Sequence, residues 1–306
     1  MTAANPAQRA PKRIDRVPLG ILYMLGATVM FAACSAISKW QVASYSFVEV
    51  LIFRSGISLL TCAALILPRT GLSVFRTHRL RDHAGRSATQ AVAQSCIIIA
   101  FSLMPLAGAV AINFAAPLFA TVVAALWLKE KVGFARGSAL VVGFFGVLLV
   151  AAPGADSFRI GALFALANAV LYGSVTAAVR GMTATESAET LTMYQMVFLT
   201  AFFALALPVT GFAWPTAEDA TAMTVNGVLN GLGQYWWTRA LLLAPPSAVG
   251  PFYYFSLVWA LVLGFLFWDD VPTFALLAGS AIVVGSGLFL LWHESGKKQL
   301  ATDEPL

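Results

Sequence analysis

The chain has 306 residues, of which 59% are hydrophobic and 11% are charged, and its formal net charge at pH 7 is +5. Soluble domains are about half apolar and about a quarter charged, so this composition excludes an ordinary water-soluble protein and predicts an integral membrane protein. The three cysteines stand alone in apolar segments and the three histidines have no metal-ligand spacing, so no disulfide framework, metal site or cofactor is expected.

The chain divides into a polar tail, ten apolar segments and a second polar tail. A membrane-spanning helix needs about 20 mostly apolar residues. In chain order, the segments that meet this length are 19–38, 47–67, 84–103, 106–128, 134–152, 160–179, 189–208, 222–243, 247–268 and 273–292. The first segment is too long for the core of a signal peptide, so it is predicted to remain as an uncut helix. Residues 1–18 and 293–306 are the tails.

The basic residues orient these spans. Lys39 and Arg159 lie in loops on one side, Arg54 and Arg239 fall within spans, and the other fifteen Lys and Arg residues lie in loops and tails on the opposite side. Cytoplasmic loops collect Lys and Arg, so both termini are predicted to be cytoplasmic, in a bacterial inner membrane. The basic residues stand at segment ends rather than along one face, so the lipid bilayer is expected as a partner and nucleic acid is not.

The second half of the chain repeats the first. Gly137-Ser-Ala-Leu-Val-Val-Gly143 returns as Gly279-Ser-Ala-Ile-Val-Val-Gly285, and Gln94 returns as Gln234. Offsets of about 140 residues define two copies of five spans each. Because five is odd, the second copy enters the membrane from the opposite side. The copies, 19–152 and 160–292, are therefore predicted to be inverted repeats, and a substrate site usually lies between such repeats in secondary transporters.

This organisation resembles a known family. Ten helices in a five-plus-five repeat are similar to the EamA-type members of the drug/metabolite transporter superfamily. The fourth span ends in Leu128-Lys129-Glu130-Lys131 and is followed by Gly137-Ser-Ala, which is similar to the end of such a repeat. The second copy departs from this motif with Trp268-Asp269-Asp270, so the motif is given no substrate role. The resemblance covers about residues 19–292, and within the superfamily it is strongest to the bacterial aromatic amino acid exporters.

The resemblance implies an all-α bundle of ten transmembrane helices around a central cavity. The cavity would be lined mainly by the first, third, fourth, sixth, eighth and ninth spans. Polar residues recur on single faces of three of these spans. They are Gln90 and Gln94 on the third, Asn168, Tyr172 and Thr176 on the sixth, and Asn226, Asn230, Gln234 and Trp237 on the eighth.

An amide that faced lipid would leave its donors and acceptors unpaired, at a cost of several kcal/mol, so these faces are expected to point inward. Hydrogen bonding between helices is the alternative for any one amide, but three aligned stripes favour a wet central site. In the fourth span, Pro117 is expected to free the backbone carbonyl of Asn113 within the helix. The counterpart of Asn113 is Tyr253, and aromatic side chains at such positions could stack on a flat ligand. The predicted substrate-binding residues are Gln94, Asn113, Asn168, Tyr172, Gln234, Trp237 and Tyr253.

Charges inside the spans give two further candidates. Arg54 is either a clamp for a substrate carboxylate or a structural partner of Glu49 or of backbone carbonyls. Arg239 lies about 140° from the Gln234 face and is expected to extend toward the membrane surface. No Asp or Glu lies deep in a span and the histidines stand near span ends, so proton coupling is not expected.

These observations predict a transporter, not an enzyme, that exports small amphipathic metabolites, with aromatic amino acids as the first choice. Alternating access between the two copies would move the substrate down its own gradient. A broad exporter of cationic drugs such as methyl viologen is the alternative within transport, although the first span lacks the glutamate typical of short cation-drug exporters. A polytopic membrane enzyme and a lipid flippase are the alternatives from other classes. The pattern leaves the oligomeric state open and is compatible with a monomer.

Overall fold

The computed structural model describes residues 16–127, 134–151, 156–182, 185–244 and 246–302. Within these residues the chain is almost entirely helical and forms no strand. The helices are α1 (Val17–Gln41), α2 (Phe47–Thr70), α3 (Leu80–Leu103), α4 (Leu106–Asn113), α5 (Ala116–Trp127), α6 (Phe134–Ala151), α7 (Asp156–Met182), α8 (Ala188–Thr210), α9 (Ala217–Leu243), α10 (Pro246–Tyr253), α11 (Phe255–Trp268) and α12 (Phe274–Thr302), with a short 3-10 helix at Gly71–Phe75.

Helices α2 and α8 stand at matching places in the two halves and begin and end by the same local chemistry. Ser46 caps α2 by accepting a hydrogen bond from the backbone N–H of Glu49, and Ser187 caps α8 by accepting one from the N–H of Thr190. Each helix is followed by a glycine with positive φ, Gly71 at 60° and Gly211 at 80°, a conformation that glycine adopts without strain. Equivalent residues of the two halves therefore set equivalent helix boundaries.

The predicted fourth and ninth spans are each broken into two helices. The breaks follow Asn113 and Tyr253, which are equivalent positions in the two halves. Pro117 was expected to lie inside one helix and to free the carbonyl of Asn113 there, whereas the chain ends α4 at Asn113 and begins α5 at Ala116. Pro117 then stands in the first turn of α5, where its missing N–H removes no intrahelical bond.

Six helical stretches are long and apolar enough to cross a membrane. They are Val17–Gln41, Phe47–Phe75, Arg159–Val179, Ala188–Thr210, Ala248–Trp268 and Phe274–His293. Helices α3 and α9 are absent from this set among the described residues, and these two helices carry the amide stripes that lower their hydropathy. At the C-terminus α12 continues to Thr302, so most of the predicted polar tail is helical.

Contacts between the halves build the bundle. Helix α1 packs on α9, α3 packs on α7, α2 packs on both α8 and α9, and α6 packs on α12. Two backbones approach closely at Gly173 of α7, where an added Cβ would lie 2.8 Å from the backbone oxygen of Ala116 and 2.7 Å from the nitrogen of Ala120. The main apolar core lies along α3, α4 and α5 and includes Ile98, Leu106 and Ile112, none of which is exposed to solvent.

Candidate substrate cavity

A cavity lies among the helices that carry the polar stripes. Its empty volume is about 970 Å³, counting the part that is open to solvent. All seven predicted substrate-binding residues line it, and so does Arg54. The complete lining is Phe31, Ala32, Cys34, Ser35, Arg54, Gln90, Gln94, Ile97, Phe101, Val110, Asn113, Phe114, Asn168, Tyr172, Asn230, Gln234, Trp237, Tyr253 and Ser256. Arg239 is half-buried and does not reach the cavity.

Arg54 places a positive charge in the cavity wall. Its side chain is buried, and its Nη2 donates to Oε1 of Gln94 at 2.9 Å. The predicted alternative pairing with Glu49 does not occur, because the carboxylate of Glu49 instead accepts from Ser46 and from the backbone N–H of Ala213. No Asp or Glu is among the lining residues. The guanidinium therefore has a neutral amide partner and donors left over for an acceptor in the cavity.

Asn113 and Asn168 form a second polar contact. Nδ2 of Asn168, a residue that is 3% exposed, donates to Oδ1 of Asn113 at 2.6 Å. Asn113 is the last residue of α4, so the helix break brings its side chain toward α7. This bond is the interhelical pairing weighed as the alternative for a single amide, and it occurs on the cavity wall.

Aromatic rings make up much of the remaining wall. Tyr253, at the end of α10, meets Phe114 edge to face, with ring centroids 5.6 Å apart and planes at 85°. Tyr172, Trp237 and Phe31 complete the aromatic lining. Rings in this arrangement can hold a flat conjugated ligand by offset or edge contacts worth about 0.5–1.5 kcal/mol each.

The polar stripe of α9 divides between the cavity and a helix interface. Asn226 does not face the cavity, because its Nδ2 donates to Ser38 Oγ at 3.0 Å and to Gln41 Oε1 at 2.9 Å, both on α1. Asn230 lines the cavity and donates to Ser58 Oγ of α2 at 2.8 Å. Gln234 lines the cavity and has no hydrogen-bond partner among the described residues. Thr176 on α7 is exposed and bonds only its own helix, so that stripe ends at Tyr172.

Several lining residues were absent from the predicted set. Phe31, Cys34 and Ser35 bring α1 to the cavity, and Phe114 and Ser256 come from the two helix breaks. The repeat contained a signal for one of them, because Phe31 stands 141 residues before Tyr172 and is its equivalent in the first half.

The described residues contain no group of three His, Cys, Asp or Glu side chains that could hold a metal ion. A polar cavity enclosed by apolar helices, with amides, aromatic rings and one cation in its wall, is the kind of site that membrane transport proteins use.

The family follows from comparison with known proteins. The model of the EamA-like transporter family matches residues 18–152 and again residues 159–292, so the chain belongs to this family, which is part of the drug/metabolite transporter superfamily. A solved crystal structure matches the fold with a TM-score of 0.61 at 20% identity, covering 89% of this chain and 96% of its own.

Several relatives are similar over nearly their whole length. A riboflavin transporter of Rhizobium johnstonii is 27% identical over 93% of this chain and 95% of its own, and a riboflavin transporter of Vibrio cholerae is 27% identical over 92% and 95%. A pseudopaline exporter of Pseudomonas aeruginosa is 26% identical over 89% and 95%. These proteins are named as transporters, which agrees with the expectation that the chain is not an enzyme, and none of these names includes an aromatic amino acid.

Proposed function

We propose that the protein carries a flat aromatic metabolite with polar edges across the bacterial inner membrane. The observation that carries this proposal is that the amides of Gln94 and Gln234, the cation of Arg54 and the rings of Trp237 and Tyr253 line a single cavity. A ring system between aromatic side chains, with its polar edge on amides, would satisfy both kinds of wall.

Ten spans in two inverted repeats would let this cavity open alternately to the two sides. The packing supports that arrangement, because the contact of α1 with α9 is matched by the contact of the equivalent helices α7 and α3. The halves also meet away from the cavity. Lys39 at the end of α1 pairs with Asp270 at 3.5 Å and donates to the backbone oxygen of Met104 at 3.0 Å. Such a contact can break and reform as one half moves against the other.

The orientation can be tested by cysteine labelling. With both termini cytoplasmic, single cysteines placed at Ala155, Thr216 and Val271 are expected to react with an impermeant maleimide added outside intact cells. Cysteines placed at Thr77 and Lys298 are expected to react only after the membrane is opened. Labelling at Thr77 from outside would contradict the orientation and the inverted repeat.

Riboflavin is the first candidate substrate. Its isoalloxazine ring is flat and carries an imide edge with both donors and acceptors, which Gln94, Gln234 and the Asn113–Asn168 pair can complement. The relatives named as riboflavin transporters support this choice, since they align with nearly the whole chain.

Aromatic amino acids are the second candidate, moved outward down the gradient that metabolism builds. The observation in their favour is Arg54, whose guanidinium is paired with the neutral amide of Gln94 and could bind a carboxylate. A cationic drug is disfavoured by the same guanidinium and by the absence of a carboxylate from the lining.

Purified protein in liposomes separates these substrates. Loaded vesicles are assayed for riboflavin flux by its fluorescence, with phenylalanine and methyl viologen as competitors in turn. Trp237→Ala is expected to lower riboflavin flux about tenfold, because a stacking wall is lost, while Trp292→Ala, a variant of an exposed tryptophan, keeps it. Transport of phenylalanine in vesicles that do not transport riboflavin would favour the amino acid. Competition by methyl viologen would favour the drug exporter, and flux unaffected by Trp237→Ala would contradict the proposed cavity.

A further inference from the structure

One turn of α3 holds most of the unpaired buried polar atoms of the described chain. Among all described residues, six buried side-chain nitrogen and oxygen atoms lack a hydrogen-bond partner, and four of these six atoms belong to His83, Arg86 and Ser87. Buried polar atoms are nearly always paired, so a cluster of exceptions calls for a physical reason. All three residues follow the polar stripe of α3 past Gln90, toward the end of the helix that is predicted to be cytoplasmic.

His83 and Glu186 face each other in this cluster. His83 stands near the start of α3, as expected from the sequence, and its side chain is 0% exposed. Its Nε2 lies 3.6 Å from Oε2 of Glu186, whose side chain is 7% exposed. Oε1 of Glu186 is already fixed, because it accepts a hydrogen bond from Thr77 Oγ1 at 2.7 Å. The free carboxylate oxygen and the free ring nitrogen are thus separated by slightly more than a hydrogen bond.

Adding one proton to this pair allows the 3.6 Å separation between Nε2 and Oε2 to close into a strong hydrogen bond. A neutral imidazole that carries its proton on Nδ1 offers Glu186 nothing, whereas an imidazolium donates from Nε2, and a charge-assisted bond needs only a few tenths of an ångström of movement. The two groups would then titrate as a coupled pair.

The other groups around His83 act in both directions. Burial of the ring disfavours its charged form most, and the positive charge of Arg86, one turn along α3, disfavours it further, while Glu186 and Asp82 favour it. From α8, Tyr194 stacks on the imidazole with centroids 4.5 Å apart and is held by a hydrogen bond to the backbone oxygen of Phe75.

The pair is connected to the cavity through Arg86. The guanidinium of Arg86 donates to the backbone oxygen of Leu191 at 2.9 Å and leaves Nε unpaired. Its positive charge also acts electrostatically on Tyr172, a cavity residue on α7. His83 stands seven residues before Gln90, and Gln90 stands four residues before Gln94. These spacings place His83 on the same face of α3 as the two cavity glutamines. A movement of α3 or α7 that opens the cavity would therefore change the surroundings of the pair.

We propose that His83 and Glu186 form a proton-binding site below the cavity that couples transport to the proton gradient. This inference rests on the proposed transport function and replaces the uncoupled mechanism expected from the sequence. One proton joins His83 Nε2 and closes the contact with Glu186 in one state of the transporter. The proton leaves, without any covalent change, when α3 and α8 rearrange.

Direct titration tests the site without any substrate. The chain has three histidines, so protein labelled with ¹⁵N-histidine in detergent micelles gives few ring signals. The signal lost in His83→Asn belongs to His83 and is expected to titrate, with its midpoint displaced in Glu186→Gln. His78→Asn, which removes an exposed histidine five residues away, is the matched control and leaves that midpoint unchanged. A His83 signal that does not titrate, or that ignores Glu186→Gln, would overturn the proposal.

Vesicles then test the coupling with riboflavin as the probe. If one proton moves per riboflavin, a gradient of 1 pH unit sustains about a tenfold riboflavin concentration ratio across the membrane. His83→Asn and Glu186→Gln are expected to reduce that ratio to about one while riboflavin still equilibrates, and His78→Asn retains it. A wild-type ratio of one, with His83 titrating normally, would refute the coupling. Absence of riboflavin and phenylalanine flux at any pH would contradict the proposed function instead, and the titration would still decide the proton site.

Discussion

Helices α3 and α9 are equivalent in the two halves, yet their polar residues are held very differently. Asn226 of α9 is 1% exposed and donates two hydrogen bonds to α1, and Cys34 donates to its oxygen. Its equivalent 140 residues earlier is Arg86 of α3, which is equally inaccessible but keeps an unpaired Nε. Ser87, next to it, has an unpaired hydroxyl where α9 has Gly227.

This difference indicates that the two ends of the bundle have different tasks. At the α9 end Asn226 is bonded to Ser38 and Gln41 and the helix packs closely on α1 and α2, so moving it would break bonds. The α3 end leaves polar groups unsatisfied in this conformation, and a second arrangement that hydrates or pairs them can lie close in free energy. In this repeated fold, the α9 end is therefore held in one arrangement, while the α3 end can change between two.

The largest effect is expected from breaking the close packing of α9. A Cβ on Gly231 would lie 2.7 Å from Cβ of Thr61 and 3.2 Å from the backbone oxygen of Ser58 on α2. Overpacking a core costs about 1–3 kcal/mol even for small additions, so Gly231→Leu is expected to abolish the folded protein in detergent gel filtration. Gly85→Leu on α3 is the control, because no atom lies within 4 Å of its added Cβ. A monodisperse Gly231→Leu would show that α2 and α9 can separate freely.

The next largest effect is expected on riboflavin flux when the two equivalent glutamines of the cavity are replaced in turn. Gln94→Ala leaves the buried guanidinium of Arg54 without its partner, and hydrogen bonds to charged groups contribute about 1.5–3 kcal/mol, so riboflavin flux is expected to fall about tenfold or more. Gln234→Ala removes a cavity amide with no partner among the described residues and is expected to cost about fivefold. The check is flux in vesicles at equal amounts of folded protein. Equal losses in the two variants would argue against a special role for the Arg54–Gln94 pair.

A smaller effect is expected when the loss of stability on removing a paired polar group is compared with that on removing an unpaired one. Asn226→Ala strips partners from Ser38 and Gln41 and is expected to destabilise the protein by about 1–3 kcal/mol. Ser87→Ala removes a buried hydroxyl that has no partner and is expected to be neutral or slightly stabilising. Thermal melting of the two variants in the same detergent provides the measurement. A clear loss of stability in Ser87→Ala would mean that its hydroxyl is satisfied after all.

Periodicity and the repeat predicted much of the cavity. Gln94, Asn168 and Gln234 were found because an amide at helical spacing in an apolar span has to face the interior, and the cavity contains all three. Periodicity could not separate a cavity from a helix interface, so Asn226 was grouped with Gln234 although it bonds α1.

Other features depended on contacts that a sequence does not display. The chain ends α4 at Asn113, whereas the position of Pro117 placed the freed carbonyl inside one helix. The burial of His83 was missed because the predicted third span began one residue after it. The stripe of α3 continues to His83 at a spacing of seven from Gln90, which was the available signal.

The smallest effect is expected at the N-terminal end of α9. The Tyr45 hydroxyl donates to Oδ2 of Asp219 at 2.6 Å, and Thr216 donates to the same atom at 2.7 Å. Both bonds lower the pKa of the Asp219 carboxyl, and the bond from Tyr45 has the larger effect. The equivalent of Asp219 is Arg79, the residue just before α3, which pairs with Asp82 and also donates to the backbone oxygen of Gly181 at 3.0 Å and to Thr185 Oγ1 at 3.3 Å. The link at this end therefore runs through an arginine rather than a carboxyl.

Tyr45→Phe tests whether this link helps to fix the α9 end. A carboxyl with a lowered pKa in the folded state stabilises the protein above its ordinary pKa, and this stabilisation is lost as the pH falls through the folded-state value. Tyr45→Phe is therefore expected to lower the melting temperature slightly at pH 7, and the difference from the wild type should shrink as Asp219 is protonated under acid conditions. Asp219→Asn is the control, because its melting curve should lose the same pH-dependent component. A difference that grows with falling pH would mean that Tyr45 acts through a group other than Asp219.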